Sequence, residues 1–531
     1  MIFIELNIKN IFVSLIVLTH CTVFSQTAER PNFVFILGEA QGWSSLSAQM
    51  DRKDPRSKND SFHTPNLNKL ANEGMRFSRF YAPSPRCTPS RAAFFTGKSP
   101  AQLHMTFVNT GNSGGRVSMP KISTELALSE ITIAERLKTV GYATAHFGKW
   151  HVGRKHPSRH GFDESDGATS NSGPENVSNP NPEQYYKTAA SGIDFIARQA
   201  KEGRPFYLQV SHYSGRSAEH AKPGTLEIMR DRLPGKDTRQ LGSAAAALDA
   251  DLSIGLILNA LNSLNIADNT YVFYTADHGA QGRNGPLSNG KGSVKEGGIR
   301  VPLIVRGPGI QPGSFAEMVA SGVDLFPTLS DLAGIQSPLP PGVEGGSLAE
   351  SLKNRGEGTV KRAREEFIVH FPHDDKDPLG PASSLLLDGY KLIRYYQTGN
   401  SQLFNLEKDL GEQTNLAGQM PEKVTELETR LTTYLQEVNA QIPVIDETRS
   451  ADAGTTVRGR QRGGGNRPDS IFQALDRDGD GLISSREINN ASTVLRSFDQ
   501  DGDGKLTQDE IRRNGRRGRG GQRGNREGRS R

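Results

Sequence analysis

Cys87 opens the run Cys-Thr-Pro-Ser-Arg at positions 87–91, and the chain holds only one other cysteine, Cys21. A lone thiol followed at fixed offsets by proline, serine and arginine sets a nucleophile beside a permanent cation. Proline and serine at those places suit the first turn of a helix, whose amino end favours anions. A solitary cysteine more often packs as a small hydrophobe, and these neighbours argue against that. Elsewhere Glu39, Lys149, His151, His212, Asp277 and His278 supply carboxylate, ammonium and imidazole groups, the materials of cation binding and proton transfer. Near the carboxyl end, Asp476, Asp478 and Asp480 with Gly481 and Glu487, then Asp499, Asp501 and Asp503 with Gly504 and Glu510, repeat a calcium-loop spacing. In each loop a backbone carbonyl, of Leu482 or Lys505, takes the seventh position. Two complete matches leave little room for ordinary acidic loops.

The elements that must position these groups are set by the apolar pattern. Short apolar runs alternate with amphipathic stretches from residue 31 to about 330, which predicts an α/β domain with a mostly parallel sheet between helices. Strands are expected at 33–37, 143–147, 206–211, 271–275 and 301–305. Helices are expected at 65–72 behind the cap Thr64, at 133–140, at 193–201 and at 244–264. Open sheets of this kind bind ligands beyond the carboxyl ends of their strands. Those ends carry Glu39, then Lys149 and His151, then His212, then Asp277 and His278. Any one of them is explained by polar loops; four successive strand ends are not.

A smaller α+β unit is expected over 364–437, with strands at 367–370 and 390–395 and a closing helix at 421–438. The glycine- and arginine-rich stretch 449–468 reads as a linker. At the amino end, an apolar run over 11–18 behind Lys9 and small residues up to Ser25 have the form of a secretory signal, too short to span a bilayer. Cys21 could suggest a lipid anchor, but His20 stands where such signals carry a small residue, so cleavage near Ser25 is expected. Cys87 is then the only cysteine left, and no intrachain disulfide can form. With a net charge of +5 over 531 residues, the chain suits a soluble globular protein.

The segments PNFVFIL, CTPSR, GKWHVG, the Asp277-His278-Gly279 turn, KGSVKEGGIRVP, GVDLFPTLSDLAG and LFNLEKDLGEQTNLA lie in order across residues 31–416. In these the chain resembles the type I sulfatases of the alkaline phosphatase superfamily. The resemblance implies a large mostly parallel mixed sheet flanked by helices, a C-terminal α+β subdomain, and conversion of Cys87 to formylglycine by a formylglycine-generating or anaerobic sulfatase-maturing enzyme. It implies that Arg91 holds the formylglycine hydrate, that Lys149 and Lys291 bind sulfate, and that His151 takes the hydroxyl proton. Hard oxygen donors at strand ends suit calcium, and the resemblance places this ion on Glu39, Cys87, Asp277 and His278. Where relatives carry two consecutive aspartates this chain has Glu39 and Ala40, so Gln41 or water must complete the site. Where relatives place a histidine for the leaving group, the match is Arg216, a poor proton donor; His212 or His220 could serve instead.

The organisation expected is a signal at 1–25, a catalytic domain at 31–350, a subdomain at 360–440, a linker at 447–469, an EF-hand pair at 470–513 and a basic tail at 514–531. The expected activity is removal of sulfate from a sulfated carbohydrate, in a secreted or periplasmic protein without a membrane span. The alternatives are a phosphodiester or phosphonate monoester hydrolase, or a noncatalytic sulfated-glycan-binding protein whose centre is lost at Ala40 and Arg216. In an exported protein the arginine-glycine tail suits an anionic polymer or cell surface rather than nucleic acid.

Overall fold

The computed structural model describes residues 30–110, 117–171, 183–215, 218–282 and 284–445, with single helical positions at Leu475, Ala491 and Leu495. The signal segment, the linker, all the EF-hand ligand residues, the basic tail and Arg216 lie outside the described residues. The chain divides into two compact units, Met1–Thr455 and Thr456–Arg531. Both large sheets belong to the first.

Eight strands form its main sheet: β1 (Asn32–Gly38), β2 (Met75–Tyr81), β4 (Ala143–Gly148), β5 (Glu164–Ser165), β6 (Phe206–Ser211), β7 (Thr270–Ala276), β8 (Leu303–Arg306) and β9 (Ser314–Ser321). A two-residue strand β3 (Val117–Ser118) pairs separately with β14 (Val444–Ile445). The order is β5-β4-β6-β1-β7-β8-β2-β9, and every neighbouring pair is parallel except those made by β8, which runs against both β7 and β2. This is the mostly parallel mixed sheet expected from the sequence. The apolar run of β1 is buried throughout and divides by parity. Phe33, Phe35 and Leu37 join the core on one face, Val34 and Ile36 the core on the other. Each such side chain contributes about 1.5–3 kcal/mol when fully buried, so the centre of the sheet is a rigid base for the loops beyond its strands.

The observed helices include Pro65–Glu73, Ile133–Lys138, Tyr185–Glu202 and Thr238–Ser263. The last is long and apolar enough to cross a membrane, but 83% of its apolar window is buried inside this fold, as a core helix requires. The Tyr185–Glu202 helix begins eight residues before the expected start at 193. Gly192 obscured that continuation, because it interrupts the apolar face where the helix lies against Leu208 of β6. The strand expected at 301–305 starts at Leu303, since Pro302 has no N–H for the ladder and the Val301 N–H donates instead to Phe80 O.

A second sheet, β10 (Phe367–Phe371), β11 (Ala382–Leu387), β12 (Tyr390–Tyr395) and β13 (Ser401–Asn405), is fully antiparallel. The Pro421–Glu437 helix closes it by burying Leu427, Leu431 and Leu435 against β11, β12 and β13. It is joined to the main sheet through a buried ionic group. The Lys391 Nζ of β12 lies 2.9 Å from Glu296 Oε1 and 3.0 Å from Glu412 Oε1, and Tyr81 of β2 donates its hydroxyl to Glu296 at 3.0 Å.

Candidate active site

Four parallel strands deliver the sequence-predicted residues because each catalytic segment continues the ladder beyond its strand. Lys149 N donates to Ser211 O at 2.8 Å, His212 N to Leu37 O at 2.9 Å, and Asp277 N to Gly38 O at 3.1 Å. Two glycines make the turns possible. Gly148 has φ +96 and no room for a Cβ beside Ser211 O, and Gly279 packs directly on the backbone of Gly297. Trp150 lies between Lys149 and His151 and packs its ring on Phe95 at 4.7 Å, fastening that turn to the helix that carries Cys87. Thr169, which no sequence signal marked, anchors the same turn by accepting from Trp150 N and donating to Gly148 O.

Cys87 is the first residue of a buried helix, Cys87–Thr96. Its Sγ lies 3.2 Å from Glu39 Oε1, 3.3 Å from His278 Nε2 and 3.5 Å from Lys291 Nζ. Burial and the Glu39 carboxylate oppose ionisation of the thiol, yet Lys149, His278 and Lys291 outweigh them and hold it well below the usual thiol range. Burial alone would raise Glu39 as well; Lys149 and Lys291 hold it well below the ordinary carboxylate range. Burial and the charge of Glu39 push Asp277 up. His151 is lowered mainly by burial, with Cys87 opposing the shift, which favours the neutral imidazole beside Cys87.

Arg91 spans the two carboxylates of the cluster. Its guanidinium bridges Glu39 Oε2 at 3.0 Å and Asp277 Oδ2 at 3.0 Å and donates to Lys149 O. It therefore fixes the two carboxylates, a role that depends on β1 and β7 being neighbours, and Cys87 lies close enough to add to the charges that favour its charged form. Lys149 Nζ takes the same Oε2 at 2.8 Å. The opposite oxygens, Glu39 Oε1 and Asp277 Oδ1, are left facing Cys87 and His278.

These residues fit a divalent cation. One ligand atom from each of Glu39, Cys87, Asp277 and His278 lies within 4.8 Å of the others, all buried. His278 Nδ1 donates to Gly279 O at 2.9 Å, so Nε2 is the nitrogen aimed into the cluster. Ala40, with φ +55, gives its N–H to Asp277 Oδ1 at 3.1 Å and has no side-chain oxygen to add. The Gln41 Oε1 accepts from the Tyr274 hydroxyl.

Beside Glu39 opens a cleft with about 140 Å³ of room, walled by Ala40, Tyr185, His212, Arg239 and Gln281 among others. His212 is buried, its ring edge-on to Tyr185, and burial with Arg91 nearby lowers it to about 4, so it is neutral at neutral pH. His220 is partly exposed and lies 3.4 Å from Glu183. Sequence reasoning missed the positioning group Glu296, Glu412 and Lys391, although Glu296 lies within the KGSVKEGGIRVP segment. Glu412 accepts from Glu296 N and Ser288 Oγ and so holds the loop that carries Lys291.

A thiol at a helix start, beside two ammonium groups and a cluster able to hold a cation, suits hydrolysis of anionic tetrahedral esters. The sulfatase family model matches residues 31–335, and the N-sulphoglucosamine sulphohydrolase C-terminal model matches 290–441. The EF-hand model matches 469–492 and 491–513. An N-acetylgalactosamine-6-sulfatase of Sus scrofa is 33% identical over 454 residues, 78% of this chain and 79% of that protein. The fold is shared with a protein solved in complex with its substrate D-glucosamine-2-N,6-O-disulfate, at TM-score 0.56 and 20% identity, covering 77% of this chain and 98% of that one. It is shared too with the phosphonate monoester hydrolase of Agrobacterium radiobacter, at TM-score 0.57 and 19% identity over 77% and 96%. The chain belongs to the sulfatase family and is a sulfuric ester hydrolase.

Proposed function

We propose that this enzyme removes sulfate from a sulfated carbohydrate, using formylglycine made from Cys87 and a calcium ion held by Glu39, Asp277, His278 and the converted side chain. The observation that carries this is the convergence on one buried Sγ of a carboxylate, an imidazole and the Lys291 ammonium within 3.5 Å. The carbohydrate is inferred from the relatives, one named for N-acetylgalactosamine 6-sulfate and one solved with a disulfated glucosamine. When bound, the cation supplies Lewis-acid polarisation of a hydroxyl and a sulfate oxygen.

The residues divide the reaction between them. A hydrated aldehyde at position 87 would supply one hydroxyl to displace the sugar oxygen from sulfur, its proton leaving with that oxygen, and a second hydroxyl for release of the sulfate. Lys149 and Lys291 hold the sulfuryl oxygens, and Arg91 keeps Glu39 and Asp277 in place. His151, whose burial favours its neutral form, is the base beside position 87 that would take the proton of that second hydroxyl. A plain thiol lacks that second hydroxyl, which is why conversion is needed. Parallel assays on aryl sulfate and aryl phosphate esters test the assignment: kcat/KM should be higher on sulfur, and the reverse result establishes the phosphorus-directed alternative.

The leaving group gives a second test. Arg216, placed there by family resemblance, can neutralise a departing alkoxide but donates a proton poorly. Arg216→Ala should slow sugar-alcohol sulfates far more than aryl sulfates, which depart unaided. If His212→Ala or His220→Ala is the variant selectively slow on sugars, by about a hundredfold, that histidine is the acid and Arg216 binds substrate. Export through the amino-terminal signal, calcium in the two EF-hand loops and attraction of the basic tail to an anionic polymer complete the proposal.

A further inference from the structure

We propose that the chain as translated, with Cys87 still a thiol, carries a sulfur, nitrogen and oxygen site for a zinc-type divalent ion at Glu39, Cys87, Asp277 and His278. Oxidation of Cys87 to an oxygen-bearing side chain, which rests on the function proposed above, abolishes that preference. Among the described residues this is the one group of three or more such side chains close enough to share an ion.

Four of the six separations among the ligand atoms are those of a small four-coordinate site, and all six lie within 4.8 Å. Sγ is 3.2 Å from Glu39 Oε1 and 3.3 Å from His278 Nε2, and His278 Nε2 is 3.4 Å from Asp277 Oδ1 and 3.7 Å from Glu39 Oε1. A tetrahedron with zinc bond lengths of about 2.0–2.3 Å has edges of about 3.3–3.8 Å. The donor types settle what the edges alone do not. Calcium takes about six to eight oxygens, whereas here one donor is sulfur, one is nitrogen, and Ala40 adds no side-chain oxygen. Thiolate and imidazole select zinc and its neighbours over hard cations.

The supporting contacts are already made. Arg91 and Lys149 hold Glu39 Oε2, Arg91 holds Asp277 Oδ2, and Gly279 O holds His278 Nδ1, so each ligand is oriented by the atom it does not give to the cluster. The Lys291 ammonium lies at the open edge, 3.4 Å from Glu39 Oε1 and 3.5 Å from Sγ, and a divalent ion must displace it.

Cobalt is the probe. Full-length protein made without a maturation enzyme, shown by intact mass to keep the thiol, is titrated with cobalt(II) while calcium fills the EF-hand loops. We expect one cobalt per chain with a near-ultraviolet sulfur-to-cobalt charge-transfer band, removed by equimolar zinc. Cys87→Ser should lose the band even though Cys21 remains. His278→Ala should keep the band at saturation but bind at least about tenfold more weakly. A folded protein without the band, or a band surviving in Cys87→Ser, overturns the inference. Sulfate-ester turnover by the converted enzyme, assayed beside it, shows whether the functional proposal stands independently.

Discussion

Cys87→Ala, produced together with a maturation enzyme, should lose on the order of 10⁵-fold in kcat/KM on an aryl sulfate, the scale on which removing a covalent nucleophile acts. That corresponds to about 7 kcal/mol of transition-state stabilisation. The melting temperature should move little, since Cys87 is small and most of its contacts are polar. Cys87→Ser is the more informative partner. A single hydroxyl can attack sulfur but has no second hydroxyl to expel sulfate, so the enzyme should consume one equivalent of substrate and gain the mass of one sulfuryl group. Sustained turnover by either variant sinks the two-hydroxyl mechanism.

The second large effect is structural. Lys391→Met should destabilise the first unit by about 3–5 kcal/mol, because it leaves Glu296 and Glu412 buried without their shared cation. Burial and the charge of Glu296 already push Glu412 up even with the lysine nearby. Urea unfolding of the two proteins measures the difference, and a loss under about 1 kcal/mol would mean that Arg300, 3.5 Å from Glu296, carries the group alone. The variant should also weaken sulfate binding, since Glu412 braces the loop of Lys291.

The strands that lead to the candidate site residues were legible in the sequence because they are buried on both faces and read as mostly apolar runs. Those without such runs were not. β2, with the sequence MRFSRFY, shifts register between Phe77 and Arg79, which breaks its alternation. β9 is an edge strand with half-buried positions, and β11 and β13 are short and serine-bearing. In the site, the type and strand-end position of Glu39, Lys149, His151 and Asp277 could be read from one chain. The work of Arg91 could not, since a guanidinium spanning two carboxylates is visible only once β1 and β7 are neighbours. The same holds for Gln41, whose engagement by Tyr274 no spacing reveals.

The clasp that Arg91 makes across β1 and β7 also sets a timetable. Ala40 and Asp277 are 237 positions apart, so the pocket closes only when a long stretch of chain has been made and paired. Once it closes, Cys87 is 3% exposed at the head of a helix whose every residue is buried. An enzyme large enough to recognise residues 87–91 as a peptide has no access to them afterwards. Under the proposed conversion to formylglycine, modification of Cys87 has to precede closure of this pocket, and the rate of folding bounds how much of the protein becomes competent.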